Sequence, residues 1–169
     1  MENTSSEPEN KNDKLNVFNI DSPIGGIQIT DNGLGITSLK FLKSEVFNNG
    51  GEIPSPIAEK AIKQLDEYFN GKRKAFDLPL SIEGTNFQKT VWEELLKIPY
   101  GETLSYKDIA VRIGNPKAAR AIWGANNKNR IPIIIPCHRV IGKNGALVGY
   151  SNGPEIKEFL LNLESKYIK

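Results

Sequence analysis

Cysteine and histidine are almost missing from this sequence: among 169 residues there is one of each. A single thiol excludes an internal disulfide and suits a reducing compartment. It also excludes a cysteine-rich zinc site, because one thiol and one imidazole cannot supply the usual four ligands. No apolar run approaches the roughly 20 residues that cross a bilayer, and Met1 to Asp13 has no apolar signal-peptide core. These absences predict an intracellular protein, cytoplasmic or in a eukaryote nuclear, with no membrane partner, no metal and no cofactor. Acidic residues are missing locally. From Ile109 to Pro154 there is no Asp or Glu in 46 residues, while seven cations occur: Arg112, Lys117, Arg120, Lys128, Arg130, Arg139 and Lys143. The rest of the chain holds 15 cations against 20 acids, so the net charge of +2 conceals a basic stretch. Such a stretch favours a polyanionic partner, nucleic acid above others.

What is present is concentrated. The one cysteine and the one histidine are neighbours in Ile133-Ile134-Ile135-Pro136-Cys137-His138-Arg139-Val140. Three consecutive isoleucines read as a strand covered on both faces. Pro136 cannot donate a ladder hydrogen bond, so the strand should end there with Cys137 at its mouth. Thiols attack as thiolates, and a nearby imidazole can take the proton near neutral pH. The bland alternative is a small buried cysteine beside a satisfied histidine.

Along the chain, residues 1–13 are polar and read as a disordered tail. Residues 14–83 read as an N-terminal α/β domain. Its β-like runs are Val17 to Ile20, Ile24 to Thr30 and Ile36 to Leu42, with Asp31-Asn32-Gly33 as a turn between the last two. Ser55-Pro56 opens a helix to about Asn70, stopped by Gly71, and Lys72 to Glu83 reads as a last strand or an extended crossover. Residues 84–169 read as a mostly helical C-terminal domain. Thr85 with Gln88, and Ser105 with Asp108, are capping boxes that start two helices. Gly114 ends the second of these, and Asn115-Pro116 is expected to cap a further helix from Lys117 to about Asn126. Two short helices joined so tightly look like a helix-turn-helix. On the second, Ala118, Ile122 and Ala125 fall on a core face, while Lys117, Arg120 and Gly124 fall near the opposite one. A helix so poor in bulk suits close approach to a nucleic-acid backbone; an Ala-rich packing helix with a solvated arginine is the alternative.

Together these residues resemble the O6-alkylguanine-DNA alkyltransferases, suicide repair proteins acting on alkylated guanine. The resemblance rests on Ile135 to Val140, on Gly114-Asn115-Pro116-Lys117-Ala118-Ala119-Arg120-Ala121, on Gly101 to Tyr106 and on Gly149-Tyr150-Ser151, in matching order over about Thr85 to Glu164. It implies an N-terminal ribonuclease-H-like sheet with one helix, then a DNA-binding alkyltransferase domain. It implies that Cys137 takes the alkyl group from guanine O6, and from O4-alkylthymine, in duplex DNA. His138 would be the base acting through water, Glu164 would orient it, and Asn129 would brace the nearby turn. Lys117, Ala118, Ala119, Arg120, Tyr106 and Arg139 would meet DNA in the minor groove, with Arg120 replacing a flipped base. Tyr106, Val140, Val148, Tyr150, Ser151 and Asn152 would line the substrate pocket. The protein would be monomeric and nearly indifferent to sequence.

Trp123 and Asn152 depart from the usual small residues at their positions, and Trp123 either packs inward or stiffens the DNA-facing helix. The zinc ligands of vertebrate members are absent. Other readings are a lesion-recognising relative that transfers nothing, a helix-turn-helix regulator and a Cys-His protease. Cys137 argues against the first of these, and Glu164 is unexplained by the second.

Overall fold

A computed structural model describes residues 14–42, 49–147 and 150–168. The expected tail at 1–13 lies outside those residues, as does Val148. Strands β1 (Asn16–Ile20), β2 (Gly26–Asp31) and β3 (Ile36–Leu42) form an antiparallel sheet in the order β1-β2-β3. Helix α1 (Pro56–Phe69) covers it, begun by Ser55, whose hydroxyl accepts from the Ala58 N–H. Ile27, Ile29, Ile36 and Leu39 of the sheet and Ala61, Leu65 and Tyr68 of α1 are buried in one core. The following stretch crosses in extended form, touching the sheet through one parallel bridge between Ile36 and Leu80. The expected mixed α/β architecture is present.

Beyond it the chain is mostly helical. Both capping boxes form: Thr85 starts α2 (Asn86–Leu95) and Ser105 starts α3 (Tyr106–Arg112), each with reciprocal side-chain bonds to the third helical residue. Gly114, at φ 78°, ends α3 in a Schellman turn, with Asn115 N–H donating to Ala110 O and Gly114 N–H to Val111 O. The next helix starts later than the sequence predicts. Ala118 N–H donates to Asn115 O, which closes a turn with Pro116 in its second place, and α4 runs Ala119–Asn127 without a side-chain cap. Trp92 of α2 fastens α4 by donating to Ala125 O at 2.9 Å.

The isoleucine run is not a strand. Pro132 and Pro136 each remove a backbone donor, and the segment between them winds into turns. Ile133 sits at φ 72° in a tight turn closed by Ile134 N–H on Pro132 O, and Ile135 N–H returns to Ile131 O. A positive φ is costly for a β-branched residue and persists only where surrounding packing enforces it. Here all the isoleucines from Ile133 to Ile135 are buried. An apolar run without periodicity specifies burial but not conformation. A single 3-10 turn, Cys137–Arg139, then leads into β5 (Val140–Ile141), parallel to β4 (Leu104–Ser105), and α5 (Pro154–Tyr167) closes the chain. No helix among the described residues is long and apolar enough to cross a membrane.

Candidate active site

The turn Cys137–Arg139 is braced from both sides of the sequence. Asn129, just past α4, accepts from Ile131 N–H at 3.0 Å and donates to Ile135 O at 2.9 Å, pinning both arms of the isoleucine loop. The pairing of Leu104 with Val140 and Ser105 with Ile141 sets the start of α3 beside this turn. Tyr106 is thereby brought next to the thiol. Burial first, then the neighbouring Cys137, push its phenol up to about 12 despite a hydrogen bond from Asn126.

His138 is fully buried, and its Nε2 meets Glu164 Oε2 of α5 at 2.6 Å. Arg139 turns inward as well. Its Nε donates to Glu164 Oε1 at 2.7 Å, its Nη2 to Oε2 at 3.0 Å and its Nη1 to Ile98 O at 2.7 Å. Two further donors reach the same carboxylate, Tyr68 OH at 2.6 Å and Gly101 N–H at 3.1 Å. Burial alone would raise the Glu164 pKa, but the hydrogen bonds from His138 and Arg139 and the Arg139 charge outweigh it and hold the carboxyl well below the usual range. Glu164 is therefore an ionised acceptor, and His138 must present Nε2–H to it. Nδ1 is then the free basic nitrogen, and it has no partner among the described residues. Burial is the largest influence on His138 and draws its pKa down against the pull of Glu164, so the ring is neutral near neutral pH.

Cys137 is 3 % exposed, and burial pushes its thiol up to about 11, opposed by the Asn129 amide and the Lys157 cation. The resting protein therefore holds a thiol rather than a thiolate. Labelling of Cys137 by iodoacetamide without DNA is expected to be slow near neutral pH and to rise about tenfold per pH unit between about pH 7 and 9. Peptide mass spectrometry follows it; fast labelling independent of pH would show that the thiolate already exists.

The remaining expected residues divide. Tyr150 is buried beside Cys137, and burial first, then that proximity, push its phenol up, while Ser151 lies exposed in the turn before α5. Lys117, Arg120 and Ala121, at the start of α4 and just before it, are exposed, and Ala119 is half-buried. Ala118 and Arg139, expected at the DNA face, are corrections. Ala118 packs into the core, and Arg139 is 6 % exposed with its guanidinium committed to Glu164 and Ile98. Trp123 does not pack inward: it is 45 % exposed on α4.

Three residues of the site escaped the sequence reading. Lys157 is fully buried with its ammonium on Val140 O, and burial brings its pKa down to about 8 while the nearby Cys137 draws it upward. Its signal was phase, because Lys157, Leu160 and Glu164 share one helical face at spacings of three and four. Gly101 takes φ 79°, and a Cβ there would strike Ile168, so only glycine brings that N–H to Glu164. Tyr68 reads from sequence as one more core residue of α1.

A solitary buried thiol, an imidazole–carboxylate pair and an adjoining basic helix pair mark a group-transfer protein built around one cysteine. Comparison with known proteins makes the class specific. Residues 19–82 match the family described as 6-O-methylguanine DNA methyltransferase, ribonuclease-like domain, and residues 86–166 match its DNA binding domain. The methylated-DNA–protein-cysteine methyltransferase of Methanosarcina barkeri is 52 % identical over 156 residues, spanning 89 % of this chain and 97 % of that protein. The crystal structure of Mycobacterium tuberculosis O6-methylguanine methyltransferase superposes with a TM-score of 0.80 at 44 % identity, over 90 % of this chain and 94 % of that one. Mycobacterium tuberculosis OGT in complex with DNA gives a TM-score of 0.79 at 46 % identity, over 88 % and 92 % of the two chains. The chain belongs to the 6-O-methylguanine DNA methyltransferase family, whose reaction is DNA repair by alkyl transfer to a cysteine.

Proposed function

We propose that this protein repairs O6-alkylguanine, and O4-alkylthymine, in duplex DNA by moving the alkyl group once and irreversibly to Cys137. The observation that carries the reading is the locked imidazole: Nε2–H sits on Glu164 and the lone pair of Nδ1 is left for a proton. His138 Nδ1 takes the thiol proton through a water, and the thiolate attacks the O6-alkyl carbon in line. The C–O6 bond breaks as the C–S bond forms, and the departing guanine recovers a proton at N1. Asn129 holds the loop that carries the thiol, and Tyr106, Val140, Tyr150, Ser151 and Asn152 surround the extruded base, with Val148 named from the resemblance alone. Lys157 offsets the negative charge as the buried thiolate forms, since an unpaired charge there is costly. Mass spectrometry of the Cys137 peptide after incubation with methylated duplex tests the reading. A gain of one methyl group on that residue is expected; an unmodified peptide beside repaired or unrepaired DNA overturns it.

The target atom lies within the stack, so the nucleotide must be flipped out, at a cost of about a few kcal/mol. We assign that work to α3 and α4 entering the minor groove as a monomer, with Lys117 and Ala119 against the backbone and Arg120 filling the vacancy. Few base edges are read in such a mode, which makes binding nearly indifferent to sequence. Arg120→Ala is expected to slow repair of duplex far more than reaction with free O6-methylguanine, because only the duplex leaves a gap. Single-turnover rates on both substrates measure this, and equal losses would remove Arg120 from the role.

A further inference from the structure

We propose that Tyr68 of α1 is a positioning residue for alkyl transfer, clamping the same Glu164 oxygen that holds His138, so that the N-terminal region completes the base from across the molecule. The inference rests on the reading of His138 as the base.

Glu164 Oε2 accepts from Tyr68 OH at 2.6 Å, from His138 Nε2 at 2.6 Å and from Arg139 Nη2 at 3.0 Å. Oε1 accepts from Arg139 Nε and from Gly101 N–H. Five donors saturate a carboxylate that offers about four lone-pair sites, so it has no freedom to rotate away from the imidazole. Tyr68 is the one donor of the five that comes from the N-terminal region, 96 residues before its acceptor. A buried phenol needs some acceptor, and the oxygen it takes is the one that sets the tautomer of the ring. Its own ring is wedged among Phe69, Phe76 and Tyr100, at centroid separations of 5.5, 5.4 and 6.2 Å. Arg139 lies over the Tyr100 ring, with its guanidinium carbon 5.7 Å from the centroid.

The hydrogen bond has an electrical consequence as well. A donor on Glu164 spreads its charge and weakens its hold on an imidazolium, which keeps the His138 ring neutral and able to accept. The groups facing His138 are Glu164 and Lys157 from α5, Arg139 and Cys137 from its own turn, and Tyr68 from α1; removing the phenol leaves every other charge in place.

The test is the pH profile of single-turnover transfer from free O6-methylguanine in the full chain, read together with the 15N spectrum of the protein's one imidazole. In Tyr68→Phe the acid limb is expected to move up by about half a pH unit or more. Transfer near neutral pH should fall and partly recover as pH rises. Fluorotyrosine placed at position 68 alone is a nearly isosteric and stronger donor, so its limb should move the opposite way; this arm holds if Tyr68→Phe fails to fold. Phe76→Leu disturbs the same aromatic cluster without touching Glu164, and should lower the melting temperature while leaving the limb in place. Loss of rate at every pH with an unmoved limb in both Tyr68 replacements would reduce Tyr68 to packing and overturn the proposal. His138→Phe separates the two levels. Full transfer in that variant would overturn the base itself, whereas lost transfer with an unmoved limb at position 68 overturns only the clamp.

Discussion

Cys137→Ser should lose alkyl transfer completely while keeping its affinity for methylated duplex. A serine hydroxyl is nearly isosteric with the thiol but far harder to ionise, and at a site that already pushes the thiol up to about 11 it will not ionise at all. In the proposed mode binding rests on the exposed Lys117 and Arg120, which the substitution does not touch. Gel shift and mass spectrometry on the same sample separate the two properties, and repair that survives in Cys137→Ser would end the mechanism. The wild-type protein should accept about one alkyl group per chain, because water does not displace a thioether and there is no second cysteine to resolve it. The added carbon must be held at a thiol that is only 3 % exposed, and overpacking costs about 1–3 kcal/mol. Titration with methylated duplex is expected to stop at one equivalent and to yield a form that melts lower. Repair beyond one equivalent would refute the suicide step, and an unchanged melting point would refute only the strain.

Glu164→Ala is expected to damage stability and chemistry together. The change leaves the Arg139 guanidinium buried without its counter-ion and strands the donors of Tyr68, His138 and Gly101. Breaking a buried pair from one side typically costs about 3–5 kcal/mol, which for a chain of this size lowers Tm by about 6–20 °C. With the tautomer no longer fixed, transfer should fall by about two to four orders of magnitude. Glu164→Gln keeps the shape and separates the effects through pH. The folded carboxyl titrates below its unfolded value, so the unfolded chain binds more protons between the two and stability rises with pH across that window. Wild-type stability from this group is complete above the ordinary carboxylate pKa and fades as pH falls, whereas Glu164→Gln should lack that component. Parallel acid-unfolding curves for the two proteins would show that Glu164 is not the ionised hub.

Much of the site could be read from neighbouring letters. The Cys137-His138 dipeptide pointed to the candidate site, and the acid-free stretch from Ile109 to Pro154 pointed to exposed cations such as Lys117, Arg120, Lys128 and Arg130. Thr85 with Gln88, and Ser105 with Asp108, announced helix starts that form as read. Glu164 was placed by helical phase together with the resemblance. The failures have a common physical origin. Ile133 to Ile135 declared burial but carried no period, so the choice between strand and turns fell to the prolines and to packing around φ 72°. Arg139 reads as another cation of the basic stretch, and only the folded position of a carboxylate 25 residues later turns it inward.

What the sequence determined by itself is therefore local: caps, turns, helix stops, the excess of positive charge and the single thiol. Each depends on contacts three or four residues apart or on a simple count. Only the tertiary structure decided which buried polar groups share an acceptor. Tyr68, Gly101, His138 and Arg139 come from distant parts of the chain, and nothing in their own surroundings names Glu164 as the partner. Buried donors must be satisfied, but which acceptor satisfies them is settled when the N-terminal helix, the turn at Gly101 and the last helix pack together.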